Sequence, residues 1–352
     1  MAFRRKSMTI AEEDAFVLTF EELIDEIETL PEYQDDMQES LAMLRRAVCY
    51  NVPGGKQIRG RGVVAAYRAL VDEPNYDTIK ETYILGWCIE IFQTCFLVIN
   101  DLIENSENRR GKLCWYLLDN IGDIAISDAH LMSGVVNIVL DRYFYDKPYY
   151  PDLIKLFHNI HLTTCLGLCM DTQSSKTGGS EGYSMERYSK IVKYKTGYNS
   201  FFLPVSCSMI LVANKTNEDD YKEIEELVLE MGLLFQAQDD FLDCFGDPRL
   251  TGRFGTDIAE NKYSWLIVKA FEKANSEQKE LLLANYGLGK QSSVKNERTV
   301  LNIYKDLGLL HDYRKFEDAT YASICDRIGK LGNRIPTSIF AETAEIIYRR
   351  NK

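Results

Sequence analysis

The chain has 352 residues, 45% of them hydrophobic, with a formal net charge of −12 and a pI near 5.0. That length and apolar content can bury a large core, while the acidity excludes general nucleic-acid binding, which needs a basic face. No Pro- or Ser-rich linker and no low-complexity run divides it, so a single domain is expected over residues 1–352.

Only eight prolines occur, and strand-like alternation is scarce. Helical periodicity predicts helices over 16–30, 33–49, 78–103, 124–145, 151–170, 185–213, 219–245, 264–284 and 294–307, with a final pair after residue 310. The fold class is therefore all-α, a bundle of about ten helices around a central cavity. Between the helices, Gly-, Pro- or Asn-rich stretches at 51–61, 105–112, 172–183 and 245–262 read as loops able to line a site. No apolar run reaches membrane-spanning length, so no stable membrane insertion is expected. Arg4-Arg5-Lys6 has no apolar segment behind it, which disfavours a signal peptide and leaves a mitochondrial presequence as the weaker alternative to a cytoplasmic location. Nine scattered cysteines without zinc spacing read as reduced core thiols, which fits the cytoplasm.

Two acid clusters interrupt apolar helices. Asn100-Asp101-Leu102-Ile103-Glu104 follows the run that ends at Ile99, and Asp239-Asp240-Phe241-Leu242-Asp243 follows Met231 to Phe235. Residues four apart share a helix face, so Asn100 lies over Glu104 and Asp239 over Asp243. A solvated acidic face fits poorly, because Phe92, Phe96, Leu97, Val98 and Ile99 leave no wide polar side. Carboxylates in such a setting are costly unless paired or metal-bound. Two facing ladders of oxygen ligands would hold hard cations, Mg²⁺ above all, and through them a diphosphate.

Such a ligand also needs basic residues. Lys56, Arg59 and Arg61 lie in or beside Gly54-Gly55-Lys56-Gln57-Ile58-Arg59-Gly60, where glycines would let backbone approach phosphate. No strand precedes this loop and it does not match a Walker A pattern, which disfavours nucleotide. Arg109 and Arg110 follow the first acid cluster. Lys193 and Lys195 precede Thr196, and Arg253 and Lys262 follow the second cluster. Singly each would be a solvated surface charge; their recurrence beside predicted loops gives them weight. His158 and His161 have a metal-like spacing but no acid nearby, and read as ordinary helix residues.

These segments resemble the trans-prenyltransferase family, and within it the farnesyl diphosphate synthases of animals. The similarity rests on the glycine loop, on Phe96 to Tyr116 with Arg109-Arg110-Gly111-Lys112, on Lys193-Tyr194-Lys195-Thr196-Gly197, and on Phe235 to Trp265 with Gln236-Ala237-Gln238-Asp239-Asp240 and Gly255-Thr256-Asp257. It extends over nearly the whole chain, to Tyr348-Arg349-Arg350, which resembles the family's basic tail. The resemblance implies Mg²⁺, about three ions, held by Asn100, Asp101, Glu104, Asp239, Asp240 and Asp243. It implies a prenyl diphosphate substrate whose diphosphate meets Arg109, Lys195, Thr196, Gln236, Arg253 and Lys262. A second diphosphate, that of isopentenyl diphosphate, falls to Lys56, Arg59, Gln93 and Arg110. Asp171 is implied in substrate positioning or the metal shell, and the usual assembly is a homodimer.

The departures from the family pattern are specific. Asn100 and Glu104 stand where the first motif has Asp, Leu168 where Gln is usual, Asn199 where Tyr is usual, and Cys95 where farnesyl synthases commonly carry Phe, with Phe96 kept beside it. Leu168 and Asn199 remove polar groups near the diphosphates, and Cys95 deepens the hydrocarbon pocket. Similar first-motif changes accompany insect terpene synthases derived from farnesyl synthases. The favoured expectation is therefore a Mg²⁺-dependent terpene synthase that ionises farnesyl diphosphate to a sesquiterpene. The alternatives are a farnesyl or geranyl diphosphate synthase, kept open by the intact isopentenyl-site residues, and a weakly active partner subunit of a prenyltransferase.

Overall fold

A computed structural model of the chain describes residues 8–30, 33, 36–71, 73–212, 218–251, 254–332 and 337–349. Among these the protein is all-α, with fourteen α-helices of eight residues or more and one short hairpin. The described residues gather into two compact units, one within 1–159 and 203–216, the other within 160–202 and 217–352.

The first unit starts at α1 (Ile10–Glu28), fixed by a capping box: the Thr9 hydroxyl accepts the Glu12 N–H and the Glu12 carboxylate accepts the Thr9 N–H. Then come α2 (Gln38–Asn51), α3 (Ile58–Leu70) and the long α4 (Tyr76–Ile103), whose residues 81 to 92 are continuously buried. Trp87 of α4 stacks on Phe16 at 4.6 Å and donates from Nε1 to the Phe16 carbonyl. Helices α3 and α4 touch backbone to backbone, since a Cβ on Gly60 would stand 2.8 Å from the Gly86 carbonyl oxygen. Strands β1 (Asn108–Arg109) and β2 (Lys112–Leu113) pair across Arg110 and Gly111, both at positive φ, before α5 (Ile124–Phe144). Helix α8 (Leu203–Leu211) returns to this unit, with the Ser208 hydroxyl on the Val63 carbonyl.

From residue 160 onward, α6 (Tyr150–Glu181) belongs to the second unit, with α7 (Met185–Val192), a π-helical segment (Lys193–Phe202), α9 (Glu218–Phe245), α10 (Pro248–Thr251) and α11 (Trp265–Lys273) to α15 (Ser338–Ile347). Its core includes Phe241 stacked on Tyr313 at 4.0 Å, with Trp265 edge-on to the same ring.

Several expectations need correction. Helix α3 falls where 51–61 was read as loop and beyond it. Helix α6 continues to Glu181, so most of 172–183 is helical, and α7, π segment and α8 replace one helix over 185–213. The predicted helix 264–284 is two, since Asn275 caps α12 (Ser276–Asn285) with a capping box of its own. Three helices are long and apolar enough to cross a membrane: Tyr76–Ile103, Ile124–Phe144 and Tyr150–Thr177. The search for uninterrupted runs missed them because Glu90 and Gln93 in α4, and similar breaks elsewhere, vanish in an average over a whole helix. The α4 window is 89% buried, so its apolar surface is spent on the core, whereas the other two are 44% and 28% buried.

Candidate active site

In the first unit, α4 ends in the first acid cluster. Asn100 and Glu104 are both half-buried, as their four-residue spacing predicts, while Asp101 is only 4% exposed and turns to the hairpin. There Arg109 donates to Asp101 Oδ1 from Nε at 3.0 Å and from Nη2 at 2.5 Å. The hairpin sets this up: the two-residue turn at Arg110-Gly111 sends Arg109 back toward the helix end. Arg110 adopts φ 53, a left-handed conformation that a non-glycine residue holds only when its surroundings enforce it. They do so here, because its Nη1 donates to the carbonyls of Asn51 and Val52 and its stem packs on Gly54 and Gly55.

The glycine loop therefore rests on Arg110. Gly54, Gly55 and Gln57 all have positive φ, and α3 begins at Ile58 with Arg59 in its first turn. Gln93 lies half-buried on α4, two turns before the acid cluster. Lys56, Arg59, Gln93 and Arg110 thus all belong to this one unit. Cys95 and Phe96 are buried at 5% and 6% exposure, with Phe96 edge-on to Phe92 at 5.1 Å. Burial pushes the Cys95 thiol up to about 12, so it is an apolar filler and no nucleophile.

In the second unit, α9 carries the other acid cluster, and each carboxylate has a different setting. Asp240 is 5% exposed: its Oδ1 accepts from Gln236 Nε2 at 2.9 Å, and its Oδ2 accepts from the Tyr188 hydroxyl at 2.7 Å and the Trp265 N–H at 2.8 Å. Burial raises its pKa, against the pull of those donors, and the neighbouring Asp239 charge raises it further. Asp243 accepts the N–H groups of Thr256 and Asp257, which ties α9 to the following loop. Gly255 makes that possible, since a Cβ there would stand 2.0 Å from the Asp243 carbonyl oxygen. Asp239 is half-buried.

The lysines converge. Lys195 Nζ lies 2.5 Å from Asp171 Oδ2, and Lys262 Nζ lies 3.7 Å from the same oxygen. Burial alone would raise the Asp171 carboxyl, but the two lysines outweigh it and hold it below its usual range. Gly167 lets α6 approach this closely, because a Cβ there would meet Lys195 N at 2.4 Å. The π segment presents Thr196 one residue on; its hydroxyl donates to Gln236 Oε1 at 2.8 Å, extending the chain that ends at Asp240. Leu168 is half-buried and Asn199 is 1% exposed. Arg253 and Arg350 lie outside the described residues. At the tail, the Tyr348 hydroxyl and Arg349 both reach Asp318, at 2.8 and 3.2 Å.

Sequence reasoning passed over Tyr188, which fixes Asp240, and Gly167. It also passed over Glu90, a lone acid in the apolar run Ile89 to Ile91, whose isolation was the available signal. Among the described residues no three acidic, histidine or cysteine side chains converge to a ready-made metal cage. In this structure Asp101 is turned to a guanidinium, and Asp240 and Asp243 accept from protein donors. The chemistry nonetheless fits Mg²⁺, which takes one or two carboxylates, retains waters and draws its other ligands from phosphate. Asn100, Asp101, Glu104 and Asp239 supply oxygen only.

Residues 41–304 match the family model described as polyprenyl synthetase. The chain is 38% identical to a farnesyl pyrophosphate synthase of Gallus gallus, over 97% of this chain and 93% of that one. It is 36% identical to one of Zea mays, over 96% of each. Among solved structures it resembles a T. brucei farnesyl diphosphate synthase complexed with a bisphosphonate, with a TM-score of 0.90 and 29% identity over 97% of this chain and all of that one. These relatives overturn the expected terpene synthase: they are named as chain-building synthases, and with them go the lyase and sesquiterpene readings. The departures at Asn100, Glu104, Leu168, Asn199 and Cys95 were weighted too heavily against a match along the whole chain. Prenyltransferases of this family use Mg²⁺. The chain belongs to the polyprenyl synthetase family and is an enzyme of the prenyltransferase type.

Proposed function

We propose that this enzyme condenses isopentenyl diphosphate with an allylic diphosphate, dimethylallyl to give geranyl and then geranyl to give farnesyl diphosphate. The observation that carries the reading is that Lys56, Arg59, Gln93 and Arg110, the residues the resemblance gives to isopentenyl diphosphate, are all kept, and that Arg110 itself braces the loop that carries Lys56. A terminating ionisation would have no use for them. The names of the relatives support the same product.

In this reading Lys195 and Lys262, prealigned by Asp171, receive the allylic diphosphate and stabilise the charge it gains as the allylic C–O bond breaks. Arg109 acts likewise beside Asp101. Asp101 and Glu104 of the first unit, and Asp239 of the second, each carry oxygens that would hold Mg²⁺, which when bound would supply Lewis-acid charge to the leaving group. Arg110, Lys56 and Arg59 hold the second diphosphate so that the isopentenyl double bond attacks the allylic carbon. A C–C bond forms and a proton is lost to the released diphosphate.

The working unit is a pair of chains. Helix α5 presents Ile124, Leu131 and Ile138, each seven residues apart and 49%, 42% and 40% exposed, a stripe that a second copy would cover.

Incubating the purified chain with Mg²⁺, isopentenyl diphosphate and geranyl diphosphate should yield C15 alcohol after phosphatase treatment. A volatile hydrocarbon from farnesyl diphosphate with no elongation would refute the reading, and inertness in both assays would point to a partner subunit. Sedimentation should give twice the chain mass, falling to one chain in Leu131→Glu.

A further inference from the structure

A buried negative charge stands beside residues assigned to bind an anion. Glu90, 1% exposed, lies on α4 one turn before Gln93, and its Oε1 accepts the Gly60 N–H at 2.8 Å. Gly60 is the third residue of α3, so that N–H is one of the helix donors left without an intrahelical partner. Gln57, the residue before α3, makes no side-chain cap hydrogen bond and sits at φ 49. Glu90 therefore caps α3 from the neighbouring helix. The fit is tight, since a Cβ on Gly60 would come within 3.0 Å of Glu90 Cγ.

Capping alone does not call for a charge, because a neutral amide oxygen accepts the same N–H. A buried charge is costly unless a cation answers it. Arg110 is half-buried, with Nη1 committed to the Asn51 and Val52 carbonyls. Burial lowers the pKa of that guanidinium, and the Glu90 carboxylate is the strongest influence opposing the shift. Arg59 stands next to the capped Gly60, and Lys56 lies in the loop against which Arg110 packs.

We propose that Glu90 is a positioning and affinity-setting residue of the second diphosphate site. It holds the first turn of α3, and with it Arg59, in place. It also keeps one fixed negative charge among Lys56, Arg59 and Arg110, so that the diphosphate binds loosely enough to be exchanged at each turnover. The inference rests on the function proposed above for these three residues.

The test is calorimetric titration of the full chain with isopentenyl diphosphate and, separately, with inorganic diphosphate, without allylic substrate. Lys56→Ala identifies which binding belongs to this site. Glu90→Gln keeps an acceptor for Gly60 and removes the charge, so both ligands should bind at least about tenfold tighter. In turnover, the KM for isopentenyl diphosphate should fall while kcat does not rise. Glu90→Asp keeps the charge and shortens the reach, so it should lower the melting temperature and loosen Arg59 without tightening the binding of either ligand. Unchanged or weaker binding in Glu90→Gln would reduce Glu90 to a helix cap and overturn the proposal. Should that variant not fold, about tenfold tighter binding in Glu90→Asp, which retains the charge, would overturn it instead. If inorganic diphosphate binds through Lys56 and isopentenyl diphosphate does not, the proposed function falls, and Glu90 is still judged on the inorganic ligand.

Discussion

Replacing Asp171 by Asn isolates the lysine clamp. The substitution preserves volume and an acceptor oxygen, so no cavity forms, but it strips the charge that faces Lys195 at 2.5 Å and Lys262 at 3.7 Å. Removing one partner of a buried pair costs about 3–5 kcal/mol. The lysine side chains are 20% and 17% exposed and gain some relief from water, so about 2–4 kcal/mol is expected here. An unfolding entropy of about 2.1 cal/mol/K per residue over 352 residues converts this to a fall in Tm of about 3–5 °C. The pH dependence has a definite sign. Asp171 is held below its unfolded pKa of about 3.9, so its contribution is complete above that value and disappears as pH falls through the lower folded pKa. Urea unfolding of wild type and Asp171→Asn should therefore differ by the same amount at about pH 7 and pH 5, and converge only below about pH 4. Equal stability at neutral pH would refute the clamp. A difference already shrinking between pH 7 and 5 would show that burial, and not the lysines, governs this carboxyl.

Three further outcomes follow from the geometry. Gly255→Ala should lower activity at least about tenfold and reduce thermal stability, because its Cβ would stand 2.0 Å from the Asp243 carbonyl oxygen; a neutral result would show that the loop yields freely. Asp239→Ala should cut turnover by about a hundredfold or more with Tm nearly unchanged, since this half-buried carboxylate is assigned to metal and not to packing; near-normal activity at saturating Mg²⁺ would remove it from the ligand set. Cys95→Phe should cost about 1–3 kcal/mol by overpacking a position 5% exposed and should shorten the prenyl product, read by chromatography of the dephosphorylated alcohols; an unchanged product length would place Cys95 away from the hydrocarbon chain.

Much of this was legible in the sequence, for reasons that can be named. The helical pattern located α4 and α9 to within two residues at each end, because both are 28 residues long and contain no proline. Helix α3 escaped because three glycines and two arginines in the eight residues from Gly54 to Arg61 look like loop, although Gly60 is there to let α4 pass and Glu90 supplies the missing cap. Helix spacing correctly paired Asn100 with Glu104. It could not foresee that Asp240 would be spent on Tyr188 and the Trp265 N–H, since those partners lie 52 and 25 residues away in sequence. The terpene synthase expectation failed for a different reason. It read five local substitutions as a change of reaction, when the loop that would hold isopentenyl diphosphate was intact.

A common device links the basic residues. Arg109 is held by Asp101, Lys195 and Lys262 by Asp171, and Arg110 is opposed by Glu90. Each of these carboxylates is less than 9% exposed, so each cation keeps a partner inside the protein when no substrate is present. Unpaired, each of these cations would sample many rotamers, and an incoming anion would have to order it at its own expense. Paired, they are preorganised, and substrate binding trades a carboxylate for a phosphate at little reorganisation cost. The same pairing limits affinity, because part of each positive charge is already answered. An enzyme that must release a diphosphate at every condensation gains from both effects. This also explains how a strongly acidic chain can serve anionic substrates: the acids that matter are the ones that hold the bases in place.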